Sequence, residues 1–188
     1  MRIEVSATAP TGWDAYVERH ESATAYHRAG AVAIGARAFK LRTSYLTAYD
    51  GEDLVGVLPL VEQSSRLFGR FLVSLPFVTY GGILADDARI AAALAERAAQ
   101  EAQRRKADHV ELRHTAALPD IGLAERLDKV SMILSLPDNE AALSKRLGAK
   151  LRSQIRRGER ENLELIWGGA ELIPDFYRVF APAMHALG

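Results

Sequence analysis

The sequence contains no cysteine. Disulfide staples and thiolate chemistry are excluded together, and the chain fits a reducing compartment. Long hydrophobic runs are missing too. Nothing reaches the roughly 18 apolar residues that a membrane span needs. The opening "MRIEVSATAPTGWDAY" has no apolar core of signal-peptide length. A soluble, cytoplasmic protein without a transmembrane segment is expected. Neither sign of charge is in excess, with 24 Lys+Arg against 24 Asp+Glu. Neutral balance argues against indiscriminate nucleic-acid binding, and no DNA partner is expected. There is no G-x-S-x-G, no H-E-x-x-H, no phosphate-binding G-x-x-x-x-G-K and no dinucleotide fingerprint. The five histidines (20, 27, 109, 114 and 185) lack ligand spacing, so no metal site is expected.

What is present is a folding-competent chain of 188 residues, 48% of them hydrophobic, enough for one large domain or one domain plus part of another. "RIEVSA" (2–7) alternates as a first strand. A helix over 11–20 places Trp13, Tyr16 and Val17 on one face, with Thr11 as its cap. Residues 23–39 form a second helix, weakened by Gly30 and Gly35. Strands over 42–63 flank Asp50-Gly51, a hairpin signal, and a third strand covers 70–78 after a turn at "SSRLFG". These make an antiparallel meander. A long helix follows over 87–106, with Ala91, Leu94, Ala95, Ala98 and Ala102 inward and Arg97, Gln100, Glu101, Arg104 and Arg105 outward. Strands are expected again at 108–114, 129–137 and 163–169. Further helices open after Asp138 or Asn139 and cover 170–188. Trp13 and Trp167 read as core residues.

Residues 145–160 hold seven basic side chains and one acid, Glu159. On one continuous helix Leu143, Leu147, Leu151 and Ile155 form a docking stripe, and the bases occupy most of the remaining surface. Like charges at 152, 156 and 160 repel by a few tenths of a kcal/mol per pair. That cost is offset if Lys150, Arg152, Arg156 and Arg157 bind an anion; otherwise the run is a solvated face. Arginine's fork suits phosphate or carboxylate. Tyr80, Gly81 and Gly82, in "LPFVTYGGILAD", read either as a tight turn or as backbone that approaches a ligand. Glu111, Arg113 and His114, in "VELRH", are the one polar cluster on a central strand, either a satisfied network or substrate-positioning groups.

The ordered set "LVSLPFVTYGGILAD", "VELRH" and "LRSQIRRGERENLEL" resembles the FemAB family, closest to the FemAB-like proteins of exosortase/PEP-CTERM systems. The resemblance implies an α/β (α+β) fold: a GNAT-like mixed, largely antiparallel sheet flanked by helices, followed by the start of a second similar lobe. It divides the chain into a first lobe (1–141), a basic linking helix (142–161) and the beginning of a truncated second lobe (162–188). The implied activity is N-acyl transfer, aminoacyl or other acyl, to an amine of a peptidoglycan, cell-wall or exopolysaccharide precursor. The donor would be aminoacyl-tRNA or acyl-CoA as co-substrate, with no bound cofactor. The acceptor would be an anionic small molecule or glycan precursor. The rest of the second lobe, on the same full-length chain, would complete the protein. By this resemblance Tyr80, Gly81, Gly82, Lys150, Arg152, Arg156 and Arg157 bind substrate, beside Ile155. Glu111, Arg113 and His114 are weaker candidates, and no catalytic residue is assigned. The rival reading is a non-catalytic GNAT-like module that binds an anionic polymer or RNA through 145–160.

Overall fold

Asp50-Gly51 makes the turn that organises the sheet. Gly51 sits at φ +60°, a conformation that costs glycine little. It joins β2 (Arg42–Asp50) to β3 (Asp53–Ser65) in an antiparallel pair running from Arg42 opposite Glu62 to Asp50 opposite Asp53. The Ser65 hydroxyl then accepts the Leu67 and Phe68 N–H groups and reverses the chain into β4 (Gly69–Val73). β1 (Arg2–Ser6) pairs antiparallel with the other edge of β2, and β6 (His109–Glu111) joins β4 in parallel. The order is β1-β2-β3-β4-β6. The result is the expected mixed, largely antiparallel sheet with helices against it. This computed structural model describes residues 1–116, 118, 121–127, 130, 132–161 and 163–188. It divides into two compact units, Met1–Met132 and Ile133–Gly188.

α3 (Ala88–Arg104) covers the sheet with all five predicted inward residues buried. Asp87 caps it, its carboxylate accepting the Ile90 N–H at 2.9 Å. Gly56 of β3 lets it approach: a methyl there would stand 2.7 Å from Ile90 Cγ2. Two expectations for this helix fail: Arg105, expected outside, is 12% exposed along its side chain and turns in to Glu62 and Ser44. Glu101 is not outside but 2% exposed, ringed by Arg97, Arg104 and Arg105. Burial raises its pKa, but Arg104, Arg105 and Arg97 outweigh burial and hold the carboxyl below the usual range.

Other corrections have local causes. α1 (Trp13–Arg19) starts behind Gly12 at φ +86° with no side-chain cap, so Thr11 does not cap it. The helix expected over 23–39 is a 3₁₀ turn, Ala25–His27, followed by α2 (Ala29–Phe39), separated at Arg28 by an extended ψ of 141°. The third strand stops at Val73 rather than 78. Pro76 has no N–H to pair and Phe77 is left-handed at φ +70°. The chain returns to the same edge of β3 only at β5 (Leu84–Ala85), so residues 74–83 bow outward as a loop.

In the second unit, Asn139 caps α4 (Glu140–Arg146), accepting the Ala142 N–H at 2.9 Å. The single basic helix divides: Leu147 is extended at ψ 131°, Gly148 at ψ 157°, and α5 (Ala149–Arg160) starts afresh. Leu143 and Leu147 therefore do not continue the Leu151–Ile155 stripe. Residues 132–137 and 163–168 form no strand; Lys129 and Ser131, the start of one expected strand, lie outside the described residues. A short 3₁₀ turn, Ala170–Leu172, precedes α6 (Ile173–Leu187). Trp167 is not core but 86% exposed. Among the described residues no helix is long and apolar enough to cross a membrane.

Candidate functional site

The outward-bowed loop encloses a cavity of about 260 Å³ in the first unit. Its walls are the chain after α1, the 3₁₀ turn, the loop with β5, the first turns of α3 and the segment after β6. Tyr80, Gly81, Gly82, Arg113 and His114 all line it, so the structure brings these sequence candidates together.

Arg113 holds the loop in place. Its guanidinium donates to the Val78 carbonyl at 2.8 Å and pairs with Glu111 at 2.6 Å, and its backbone N–H donates to Ser74 Oγ at 3.0 Å. Glu111 is thereby taken up by Arg113, in a satisfied network. His114 performs a second tether. Its Nε2 accepts the Ile83 N–H at 2.8 Å, which places the ring proton on Nδ1. Among the described residues Nδ1 has no hydrogen-bond partner. Burial, with a smaller contribution from His27, pushes the His114 pKa down to about 4. The ring is neutral at pH 7.

The glycines follow from this packing. A Cβ on Gly82 would lie 2.6 Å from Cδ2 and 2.7 Å from Cε1 of the His114 ring, and one on Gly81 would run into Leu75. Neither glycine has a positive φ, so bare backbone is needed for approach and not for conformation. Tyr80 is half-buried at the rim, not enclosed, and meets Tyr26 edge-on at 6.1 Å between centroids.

Sequence reasoning missed His27. Only 3% exposed, it lines the same cavity. Its Nδ1 accepts the Thr24 N–H at 3.1 Å, so Nε2 carries the proton. Trp13 Nε1 donates to its carbonyl at 2.8 Å. Among the described residues the buried Nε2 has no hydrogen-bond partner. Burial lowers the His27 pKa, and the backbone of Gly82 and Thr24 partly counters this. His20 joins the wall, its Nε2 3.2 Å from the Ala85 carbonyl. Thr24-x-x-His27 is a capping box, and that was the one signal in the sequence. Nothing in the spacing of residues 20, 27 and 114 places them together. Among the described residues no set of three or more side chains is arranged to hold a metal ion. One nitrogen of each of these three rings already accepts a backbone N–H.

The entrance to α3 is closed to anions. Asp87 occupies its free N–H groups, which with Arg89 hold that carboxyl below the usual range. Beside it Asp86 takes the Tyr16 hydroxyl at 2.8 Å, and burial first, then Asp86, raises the Tyr16 pKa.

Lys150, Arg152, Arg156 and Arg157 belong to α5 in the second unit. Arg152 is occupied, its guanidinium donating to the Ser144 carbonyl at 3.2 Å and to the Leu147 carbonyl, the last groups of α4. Lys150, Arg156 and Arg157 are exposed, with no side-chain partner among the described residues.

No family model matches the sequence, and no curated protein matches it. Similar solved structures include a probable acetyltransferase, at 16% identity and TM-score 0.43, covering 74% of this chain and 100% of that one. A transcriptional regulator from Bacillus halodurans C-125 is similar at 15% identity and TM-score 0.46, over 72% of this chain and 100% of its own. A ribosomal-protein-alanine N-acetyltransferase from Brucella melitensis biovar Abortus 2308 stands at 15% and 0.45, over 72% and 100%. Scores below 0.5 at such identities carry no inference about activity.

Proposed function

We propose that the first unit is a GNAT-type, FemAB-like N-acyltransferase lobe. It would pass an aminoacyl or other acyl group to an amine of a cell-wall or exopolysaccharide precursor. The observation that carries this reading is His27, whose buried Nε2–H lacks a hydrogen-bond partner among the described residues, in the wall of a cavity lined by neutral imidazole and bare glycine backbone. In acyl transfer the amine nitrogen bonds to the donor carbonyl carbon, and the carbonyl oxygen gains charge. The tetrahedral centre then collapses. The carbon–oxygen or carbon–sulfur bond of the donor breaks, and the amine proton ends on the leaving group. A fixed neutral N–H turned from that wall toward the donor carbonyl would serve the developing oxyanion, and one such donor is worth about 10²–10³ in rate. His114, with its pKa near 4, is a poor proton acceptor at pH 7. On this reading it shapes the wall and holds Ile83.

Lys150, Arg156 and Arg157 would take the anionic portion of donor or acceptor. The test is to supply the full chain with aminoacyl-tRNA or acyl-CoA and amine-bearing envelope precursors, and to read acceptor mass. The reading expects a product with one donor class and a loss of about 10²–10³ in rate for His27→Ala, with the fold confirmed by circular dichroism. A folded protein that modifies no acceptor overturns it.

The free cations of α5 also favour a second reading, a module that binds anionic polymer or RNA. Binding that persists across unrelated polyanions and collapses with salt would support it.

A further inference from the structure

A second cavity, of about 620 Å³, opens elsewhere in the first unit. Arg104, Arg105 and Lys106, at the end of α3, line it, whereas the candidate active site uses the beginning of that helix. Seventeen residues of helix separate the two, about 25 Å. The sheet supplies Arg42 and Arg70 to the opposite wall, with the hydroxyl residues Ser6, Thr43 and Ser44. Among the described residues five cations and no acid line this space.

The carboxylates stand behind the cations and orient them. Arg105, 12% exposed along its side chain, reaches Glu62 at 3.3 Å, Glu101 at 3.3 Å and Ser44 Oγ at 2.6 Å. Arg70 approaches Glu62 at 3.5 Å and donates to the Arg105 carbonyl at 2.7 Å, and Asp108 accepts the Arg70 backbone N–H at 2.9 Å. Arg42, Arg70, Arg97, Arg104 and Arg105 meet Glu62 or Glu101, and with Lys106 the six cations outnumber Glu62, Glu101 and Asp108, so positive charge is left over. Its mobile share lies on two groups. Arg42 comes only within 3.9 Å of Glu62, and the Lys106 ammonium has no partner among the described residues. The helix's negative end does not cancel them. The carbonyls of Glu101, Ala102 and Gln103 accept the N–H groups of Arg105, Ala107 and Lys106.

We infer that this cavity binds a small anion carrying two linked phosphates. Guanidinium groups converge from two walls, and the volume exceeds what one phosphate fills. Arg105, held by Glu101, Glu62 and Ser44, contributes fixed positive charge to the wall, while Arg42 and Lys106 supply the donors that are free to turn to the ligand. Ser6 already donates to the Thr8 carbonyl at 2.6 Å, so the hydroxyls of Thr43 and Ser44 are the donors left for the remaining oxygens. Nothing here depends on acyl transfer.

Calorimetry of the full chain at low salt tests it, with inorganic pyrophosphate as the probe. One site per chain is expected, at least tenfold tighter than for inorganic phosphate. Arg42→Gln and Lys106→Asn should each weaken binding about tenfold, the worth of one charge-assisted contact, and about a hundredfold together. Asn is chosen because position 106 is left-handed at φ +54°, which Asn tolerates. Arg156→Gln/Arg157→Gln, on α5, should bind as the parent does. A nucleoside diphosphate that binds more tightly than pyrophosphate adds a base contact to the same site. No heat with pyrophosphate overturns the inference. So do a folded Arg42→Gln/Lys106→Asn protein that binds unchanged, and loss of binding in the α5 variant.

Discussion

Replacing Gly82 with alanine tests the packing on which the candidate site rests. The new methyl would stand 2.6–2.7 Å from two carbons of the His114 ring, well inside van der Waals contact. The ring cannot yield freely, because its Nε2 holds the Ile83 N–H at 2.8 Å and Ile83 is buried. If the ring moves, that donor is left unpaired at about 1–3 kcal/mol. If it stays, crowding costs about 1–3 kcal/mol. Against this, alanine at an ordinary φ restricts the unfolded chain and returns about 0.4–1 kcal/mol. The net expectation is a loss of about 1–2 kcal/mol, read by urea denaturation. The cycle with His114→Ala isolates the cause. With the ring gone the methyl loses its three nearest clashes, so Gly82→Ala should be neutral or slightly stabilising there, a coupling of about 1–3 kcal/mol. A Gly82→Ala cost below about 1 kcal/mol would refute the reasoning, as would an equal cost in both backgrounds.

Two more predictions concern charge. His114 titrates near 4 in the fold and near 6.5 when unfolded, so the unfolded chain binds more protons between those values. Stability from this group is complete above pH 6.5 and falls as pH drops toward 4, by up to about 3 kcal/mol; His114→Gln should flatten that slope in urea titrations, and an unchanged slope counts against it. Glu101→Gln leaves three guanidinium groups without their shared carboxylate. Two of them reach solvent, so the loss should lie near the low end for a broken buried pair, about 3 kcal/mol, and a midpoint within error of the parent would show that the network contributes nothing.

Local chemistry was legible in the sequence. Asp50-Gly51 specifies its hairpin through backbone preference alone, Asn139 caps α4 with its own side chain, and the alanine–leucine face of α3 follows from helical period. Of the site, Tyr80-Gly81-Gly82 and the cluster ending in His114 were visible because glycine pairs and strand charges stand out. Their purpose was not. That Gly82 is bare for His114, and that Arg113 clamps Val78, depends on contacts about 30 residues apart along the chain.

What sequence determined by itself is therefore the set of elements whose hydrogen bonds close within a few residues. Tertiary structure alone decided the rest. It buried Glu101 because three arginines converge on it, and ended β4 at Val73 where the loop departs. It also gathered His20, His27 and His114 around one cavity and cations from β2, β4 and α3 around another. Side chains distant in sequence have no common period, and only the sheet order brings them within a few ångströms.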